Sequence, residues 1–263
     1  MAWISSPVKI NPTYRLSIPL VFLHNAIPLP FQHLFIALFC GGAVKYFPKL
    51  YYAWVACSGL YLASFVISSM KLEKNVRDIY YGKSFAKFER PKPDMVVFRI
   101  GAALNTPLGA LDPDVHYVVL GFLKMIDDLY TNREKFGFIS ADLMVGAEKA
   151  NMNPVNIISY FENMEGLLKF AHDPEFGHPA IVKKYVEIST SNPSKGKKVG
   201  VFHETYKLDA FETIYKNMPG FGLSKAHEKL EDGTYRNVLS EIDTESRNAA
   251  VRLAAQKKLN GLA

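Results

Sequence analysis

A histidine and a glutamate stand side by side in the middle of an otherwise apolar stretch, VGVFHETYKL, which covers residues 199–208. The apolar and aromatic residues around them predict a β-strand, and neighbouring strand residues point to opposite faces of a sheet. His203 and Glu204 therefore cannot both face solvent from a half-buried strand. The inward group is either a hydrogen-bonded core residue or a general base that takes an acidic proton from a substrate. We take His203 as the leading catalytic candidate, with Glu204 as its partner or its alternative.

Further polar side chains could surround a substrate near this pair. Arg99 lies inside the predicted strand 95–104, where an unpaired buried guanidinium would be strongly destabilising, so it either reaches solvent or orients Glu204 or an anionic substrate. Tyrosines and an asparagine close to the quoted stretch could bind a substrate oxygen, although aromatic residues also suit strands for packing reasons alone. The predicted substrate-binding residues are Arg99, Tyr206, Tyr215 and Asn217.

No metal site is predicted. His172 and His178 flank Asp173, but their spacing matches no familiar metal-binding pattern. The Asp-Pro and His-Pro pairs found there are typical of turns and helix starts. The sequence also lacks a Gly-rich nucleotide fingerprint, a P-loop and a nucleophile elbow. We therefore expect no flavin, nucleotide or metal cofactor, with a haem held by a single histidine as the alternative.

The composition of the 263-residue chain excludes several classes of protein. Its net charge of +6 is spread along the sequence, without the arginine-rich or aromatic-basic motifs of nucleic-acid binding. The two cysteines, Cys40 and Cys57, lie in apolar segments, so no disulfide framework is indicated. The hydrophobic residues, 49% of the total, are concentrated toward the N-terminus. The chain therefore divides into two unlike parts.

Two uncharged runs in the first part, 16–44 and 50–70, are long enough to interact with lipid. A membrane-spanning helix needs about 20 mostly apolar residues, and aromatic residues cluster at the connection, as at a membrane interface. We predict a transmembrane helical hairpin that anchors residues 1–70 in a membrane. The alternative is a helical hairpin buried inside a soluble protein.

Lysine and arginine residues follow the second run densely, whereas the connection holds only Lys45 and Lys49. Positive charge marks the cytosolic side of membrane proteins, so both ends of the hairpin are expected in the cytosol. A basic linker, 71–93, then leads to the second part of the chain. We predict a location in the endoplasmic reticulum membrane with the catalytic domain in the cytosol.

The second part alternates strand and helix signals and forms a predicted catalytic domain, 94–225. Asp112 and Pro113 suit the N-cap and first position of a helix, and Asn163 can cap another. The elements follow in the order β-α-β-β-α-β, which is the ferredoxin-like arrangement of an α+β domain. Residues 226–263 read as a charged or amphipathic tail. The predicted strands are 95–104, 138–147, 153–161 and 199–208, with helices from 112, after 163 and over 180–188.

The four-stranded sheet of such a domain carries both helices on one face and leaves the other face open. An exposed apolar face of that size usually has a partner. A second copy of the sheet is a common solution, which makes a dimeric barrel with a pocket inside. We therefore expect a homodimer, with the tail or the N-terminal hairpin as the alternative cover.

Two blocks of the sequence resemble a monooxygenase-like family. VGVFHETYKL, followed by FETIYKNMPGFGL at 211–223, resembles the C-terminal signature of that family, and YFENMEGLLKFAHDPEFGHPAIVKKY at 160–185 resembles its preceding strand and helix. The family groups with the antibiotic biosynthesis monooxygenases of the dimeric α+β barrel superfamily. The resemblance covers roughly 94–225, and the N-terminal hairpin is similar to membrane-anchored fungal members of the fumagillin-pathway type.

This resemblance implies a monooxygenase of terpenoid or polyketide biosynthesis that oxidises an apolar intermediate in a barrel pocket, without flavin or metal. It supplies no established set of catalytic residues. Related proteins on the fold also include cofactor-free cyclases and isomerases and haem-containing dehydratases, and a non-catalytic membrane scaffold is a further alternative. The fold alone cannot choose among these functions.

Overall fold

The computed structural model describes residues 80–106, 109, 112–145, 155–218, 220–241 and 249–262, with isolated positions between 49 and 63. The predicted hairpin, 1–70, lies almost wholly outside these residues. Within the described part of the chain, no helix is long and apolar enough to cross a membrane. The described strands form three sheets, not one. The expected fold class, a transmembrane helical hairpin followed by a single ferredoxin-like sheet, is therefore wrong, and the chain is a mixed α+β protein.

The described residues form both helices and strands. The helices are α1 (His116–Thr131), α2 (Arg133–Phe136), α3 (Met164–His172), α4 (Gly177–Ser191), α5 (Pro193–Gly196) and α6 (Ala249–Leu259). The strands are β1 (Lys83–Ala86), β2 (Val96–Leu104), β3 (Phe138–Val145), β4 (Val155–Phe161), β5 (Val199–Lys207), β6 (Tyr215–Lys216), β7 (His227–Lys229), β8 (Tyr235–Asn237) and β9 (Leu239–Glu241). A 3-10 turn spans Gly222–Lys225.

The largest sheet is antiparallel, with its strands in the order β3-β4-β2-β5. Along the chain its strands and main helices follow one another as β-α-β-β-α-β. β2 lies in the interior of the sheet and pairs with both β4 and β5, whereas β5 forms one edge. The remaining strands form a β6-β1-β9 sheet and a β7-β8 pair.

One face of the largest sheet packs against α1, α3 and α4. Alternate residues of β2, such as Val96 and Phe98, point to that face and are buried in its core. Phe136, Phe161 and Phe170 are fully buried there, and Phe136 meets Phe170 edge to face at 5.6 Å. Aromatic pairs in this geometry stabilise a core beyond simple area burial. This helix-side core supports one wall of the site described below.

Local signals fix some helix starts and miss others. Asn163 caps α3 as predicted, because its side chain accepts a hydrogen bond from the backbone N–H of Gly166. Asp112 does not cap α1, which begins at His116. The Asp112 carboxylate is instead held by Thr106 and Lys198, and it accepts a hydrogen bond from the backbone N–H of Asp114.

The chain itself covers part of the opposite sheet face. A second core forms there around Phe88, Met95, Ile139, Leu223 and Val238. The predicted C-terminal tail therefore contributes β7, β8, β9 and α6 to the folded structure. These elements partly fill the role that the sequence assigned first to a second copy of the chain.

A buried amide side chain contributes to the docking of α6. Gln256, which is 2% exposed, accepts a hydrogen bond from the backbone N–H of Thr213 at 2.8 Å and donates one to the Thr213 carbonyl at 2.9 Å. Arg252 forms an ion pair with Glu212 beside it. A buried amide whose donor and acceptor are both satisfied favours this one position of the helix.

An ion-pair network fixes the start of β5. Lys198, immediately before the strand, lies 3.0 Å from Asp112 and 2.8 Å from Asp114, measured from Nζ to the carboxylate oxygens. Burial by itself would raise the pKa of Asp112, but hydrogen bonds from Thr106, Asp114 and Lys198 outweigh it and lower the pKa to about 2. The charged form of Asp112 therefore stabilises the fold.

We predict that Asp112→Asn lowers the free energy of unfolding of the full chain by about 2 kcal/mol at neutral pH. Because the folded-state pKa is depressed, this contribution is complete above the ordinary aspartate pKa and disappears as the pH falls toward 2. Urea unfolding at several pH values measures it. Asp127→Asn, an exposed carboxylate of α1, is the control. A wild-type and Asp112→Asn difference that stays constant down to strongly acidic pH would contradict the prediction.

Candidate active site

The pairing of β2 with β5 puts the two central polar residues on opposite faces of the sheet. His203 lies opposite Ile100 and points to the helix side, whereas Glu204 lies opposite Arg99 and points away from it. The expectation that one of the pair is buried is wrong. His203 is exposed and Glu204 is half-buried, because β5 is an edge strand.

His203 borders a cavity of about 530 Å³ on the helix side, which we call the helix-side cavity. Most of its walls are aliphatic or aromatic. The deeper apolar lining includes Val118, Phe122, Met125, Ile181 and Val199, and exposed valines of α4 and β5 form its rim. Among the described lining residues, the side chains able to hydrogen-bond are His178, Tyr185 and His203.

His178, near the start of α4, has a defined protonation pattern. Its Nδ1 lies 2.9 Å from the carbonyl oxygen of Ala171 in the last turn of α3. A carbonyl only accepts hydrogen bonds, so Nδ1 carries the proton and Nε2 holds the lone pair of the neutral ring. Burial lowers the pKa of His178, the hydrogen bond to Ala171 raises it, and His172 and His203 lower it further. The net lowering keeps the ring neutral at neutral pH.

A buried carboxylate on α1 anchors the start of α4. Asp128 accepts a hydrogen bond from the backbone N–H of Gly177 at 2.7 Å and forms an ion pair with Lys124 at 2.8 Å. A side chain at position 177 would approach Lys124 and Asp128 at 3.0 and 3.1 Å, so glycine permits this close contact. The next residue, His178, is thereby held against the cavity.

Three of the predicted site residues lie together on the sheet face opposite the cavity. Arg99 pairs with Glu204 at 3.3 Å, and its guanidinium lies 5.2 Å from the centre of the Phe202 ring. A hydrogen bond to Glu204 is the largest of the effects that raise the pKa of Tyr206. The predicted contact of Arg99 with Glu204 is thus present. Because both side chains are more than 40% exposed, the pair contributes little to stability.

The two remaining predicted site residues lie neither in the cavity lining nor beside the Arg99–Glu204 pair. Tyr215 is packed in the second core, where burial and the neighbouring Tyr160 raise the pKa of its hydroxyl. Asn217 follows β6 with a φ of 53°, in the left-handed region that asparagine tolerates better than most residues. Its backbone N–H donates to the Gly82 carbonyl. Both residues therefore have structural explanations.

His178 lines the same cavity as His203 but is not among the predicted site residues. The predicted start of α4 is near residue 180, whereas the helix begins at Gly177 and includes the histidine in its first turn. The signal that was present is the His-Pro pair at 178–179, because proline favours the first turn of a helix. For metals, no group of three or more His, Cys, Asp or Glu side chains within the described residues could hold an ion.

Residues 95–223 match the model of the Monooxygenase af470-like family. The chain is also similar to a curated protein, Monooxygenase af470 of Aspergillus fumigatus, at 30% identity over 151 residues. That alignment covers 56% of this chain and 52% of the relative, so the chain spans about half the length of the protein it matches. The resemblance to a monooxygenase-like family is thereby confirmed, whereas the predicted membrane anchoring is not shown.

Solved structures show only partial likeness. SnoaB, a cofactor-independent oxygenase from Streptomyces nogalater, shares 11% identity with a TM-score of 0.26, over 44% of this chain and 93% of its own. Aldoxime dehydratase OxdRE in complex with butyraldoxime shares 13% identity with a TM-score of 0.39, over 68% of this chain and 44% of its own. At these scores the likenesses support no conclusion about function.

The separation of the two faces leads to a prediction about the central pair. His203→Ala should lower turnover of a cavity-bound substrate by about 10²-fold or more, the scale of a lost proton-transfer group. Glu204→Gln should leave turnover within about twofold, because its side chain lies on the other face of the sheet. Steady-state kinetics of both folded variants tests this, with circular dichroism as the folding check. A strong loss in Glu204→Gln with normal His203→Ala would place the site on the opposite face.

Proposed function

We propose that this protein is a monooxygenase-like enzyme that oxidises an apolar small molecule bound in the helix-side cavity. The proposal rests on a largely apolar cavity of about 530 Å³ whose lining includes two imidazoles, those of His203 on β5 and His178 on α4. Pockets of about 300–1,000 Å³ with a few placed polar groups are typical of small-molecule sites. The match of 95–223 to a monooxygenase-like family supports the same reaction class.

The proposed chemistry begins with a proton transfer. An imidazole of the cavity takes a proton from a weakly acidic carbon, and the electron pair of the broken C–H bond stays on the substrate as an enolate. This anion reduces dioxygen directly, so neither flavin nor metal is required. For a methylene carbon the balance is CH₂ + O₂ → C=O + H₂O, with one oxygen atom in the product and one in water.

The apolar lining favours a substrate with a hydrocarbon skeleton and few polar groups. Terpenoid and polyketide intermediates of natural-product pathways have this character, and we propose one of them as the substrate. Water exclusion by the lining would strengthen the interaction of the enolate with the neighbouring imidazoles. The homodimer and the location at the endoplasmic reticulum stay predictions, which light scattering and cell fractionation test.

The full chain, purified in mild detergent, tests the reaction class directly. We expect oxygen uptake with apolar compounds whose methylene lies between two carbonyl or aryl groups, and incorporation of one ¹⁸O atom per product from ¹⁸O₂. The absorption spectrum of the same sample should lack a flavin or Soret band. Turnover without oxygen would indicate a cyclase or isomerase instead, a Soret band would indicate a haem enzyme, and no turnover would favour a scaffold.

A matched pair of variants tests whether the helix-side cavity is the site. Val201 and Leu120 are both 58% exposed, but only Val201 lines the cavity. Val201→Trp should fill part of the cavity and lower kcat/KM by about tenfold or more, which is about 1.4 kcal/mol. Leu120→Trp should leave kcat/KM within about twofold. Equal kinetics for the two variants would show that the reaction takes place elsewhere.

A further inference from the structure

The helix-side cavity holds two imidazoles in unlike environments. His203 is exposed on the edge strand, whereas His178 is half-buried between α3 and α4. The difference matters because a proton acceptor works best where water does not compete for its lone pair. His178 is therefore better protected from water than His203.

The surroundings of His178 leave one ring nitrogen for a ligand. Nδ1 donates to the Ala171 carbonyl at the C-terminus of α3, so the lone pair of the neutral ring is on Nε2. The same hydrogen bond, together with the negative end of the α3 dipole, would stabilise the imidazolium that forms on protonation. A helix-capping role alone would use Nδ1 but would not require the ring to line a cavity.

We propose that Nε2 of His178 is the proton acceptor of the helix-side cavity, and that the ligand is a weak oxygen or carbon acid, such as a phenol or an enolisable ketone, on an apolar skeleton. This inference rests on the proposed function and names its substrate class. In the step, the substrate O–H or C–H bond breaks, an Nε2–H bond forms, and the electron pair remains on the substrate as a phenolate or enolate.

The charged groups around His178 are compatible with this role. Asp128 and Lys124 on α1 neutralise each other at 2.8 Å beside the start of α4. His172 on α3 and His203 on β5 are the other titratable groups that affect the His178 ring, and both lower its pKa. A substrate anion paired with the imidazolium would offset that effect. His203, on the exposed rim, can then return the proton to solvent.

The experiment uses 4-nitrophenol as the probe, because its phenolate absorbs in the visible range and the neutral phenol does not. At a pH where the free phenol is mostly protonated, we expect the full chain to bind the probe and produce the phenolate band. His178→Asn keeps a side-chain N–H near the position of Nδ1 but lacks Nε2. It should still bind the probe and lose about tenfold or more of the phenolate signal.

His116→Asn is the matched control. The Nδ1 of His116 also contacts a backbone carbonyl, that of Pro113 at 3.1 Å, but this histidine lies outside the cavity lining. Its replacement should leave the phenolate band unchanged. A bound probe that stays neutral in the wild type, or an equal phenolate band in His178→Asn, would overturn the proposal.

A measurement on the wild-type chain covers the case in which His178→Asn does not fold. ¹⁵N NMR of histidine-labelled protein should show Nε2 of His178 change from an unprotonated to a protonated nitrogen when 4-nitrophenol binds, and no change would overturn the assignment.

Oxygen uptake separates this inference from the proposed function. Phenolate formation without oxygen uptake on any substrate would reject the monooxygenase alone, and unchanged oxygen uptake in folded His178→Asn would reject the role of His178 alone.

Discussion

Backbone pairing between β2 and β5 decides which polar side chains of this protein can act together. It sets Ile100 opposite His203 and Arg99 opposite Glu204. Because side chains alternate along a strand, a slip of one residue would exchange the two faces of β5. The imidazole would then leave the cavity and the carboxylate would enter it. The ion pairs of Lys198 with Asp112 and Asp114 hold the chain immediately before the strand and so help to keep this register.

The junction of three helices is the second constraint on the site. Asp128 of α1 holds the start of α4 through the backbone N–H of Gly177, and His178 of α4 reaches back to a carbonyl of α3. Each contact satisfies a backbone group that a helix end leaves without an internal partner. The same contacts that stabilise the helix ends therefore also hold the His178 ring in the lining of the helix-side cavity.

The two faces of the largest sheet have different surroundings. The helix face holds the main core and the apolar cavity, whereas the other face is covered in part by a second core from the chain's own β-strands and C-terminal residues. Arg99, Glu204 and Tyr206 occupy the part of that face that remains accessible. Arg99 forms an ion pair with Glu204, and Tyr206 hydrogen-bonds to Glu204, so these surface contacts account for the three residues without a catalytic task.

Features that depend on local periodicity could be predicted from the sequence. The alternation of side chains along a strand correctly predicted that His203 and Glu204 lie on opposite faces. The predicted order of strands and helices matched the observed elements between residues 96 and 207. Asn163 was correctly predicted as the N-cap of α3. Such signals depend on backbone geometry within a few residues of each other. They do not depend on what packs against the element.

Which faces are buried, and which residues come into contact, depends instead on tertiary packing. Whether β5 is an edge or an interior strand depends on pairing with β2, about a hundred positions earlier in the chain. Its edge position leaves His203 exposed and Glu204 half-buried, whereas the strand pattern predicted that one of the two would be buried. The presence of His178 and His203 in one cavity lining, and the packing of the half-buried Tyr215 against the second core, likewise arise from contacts distant in sequence. No local sequence pattern predicts these contacts, because they depend on how all the elements pack together.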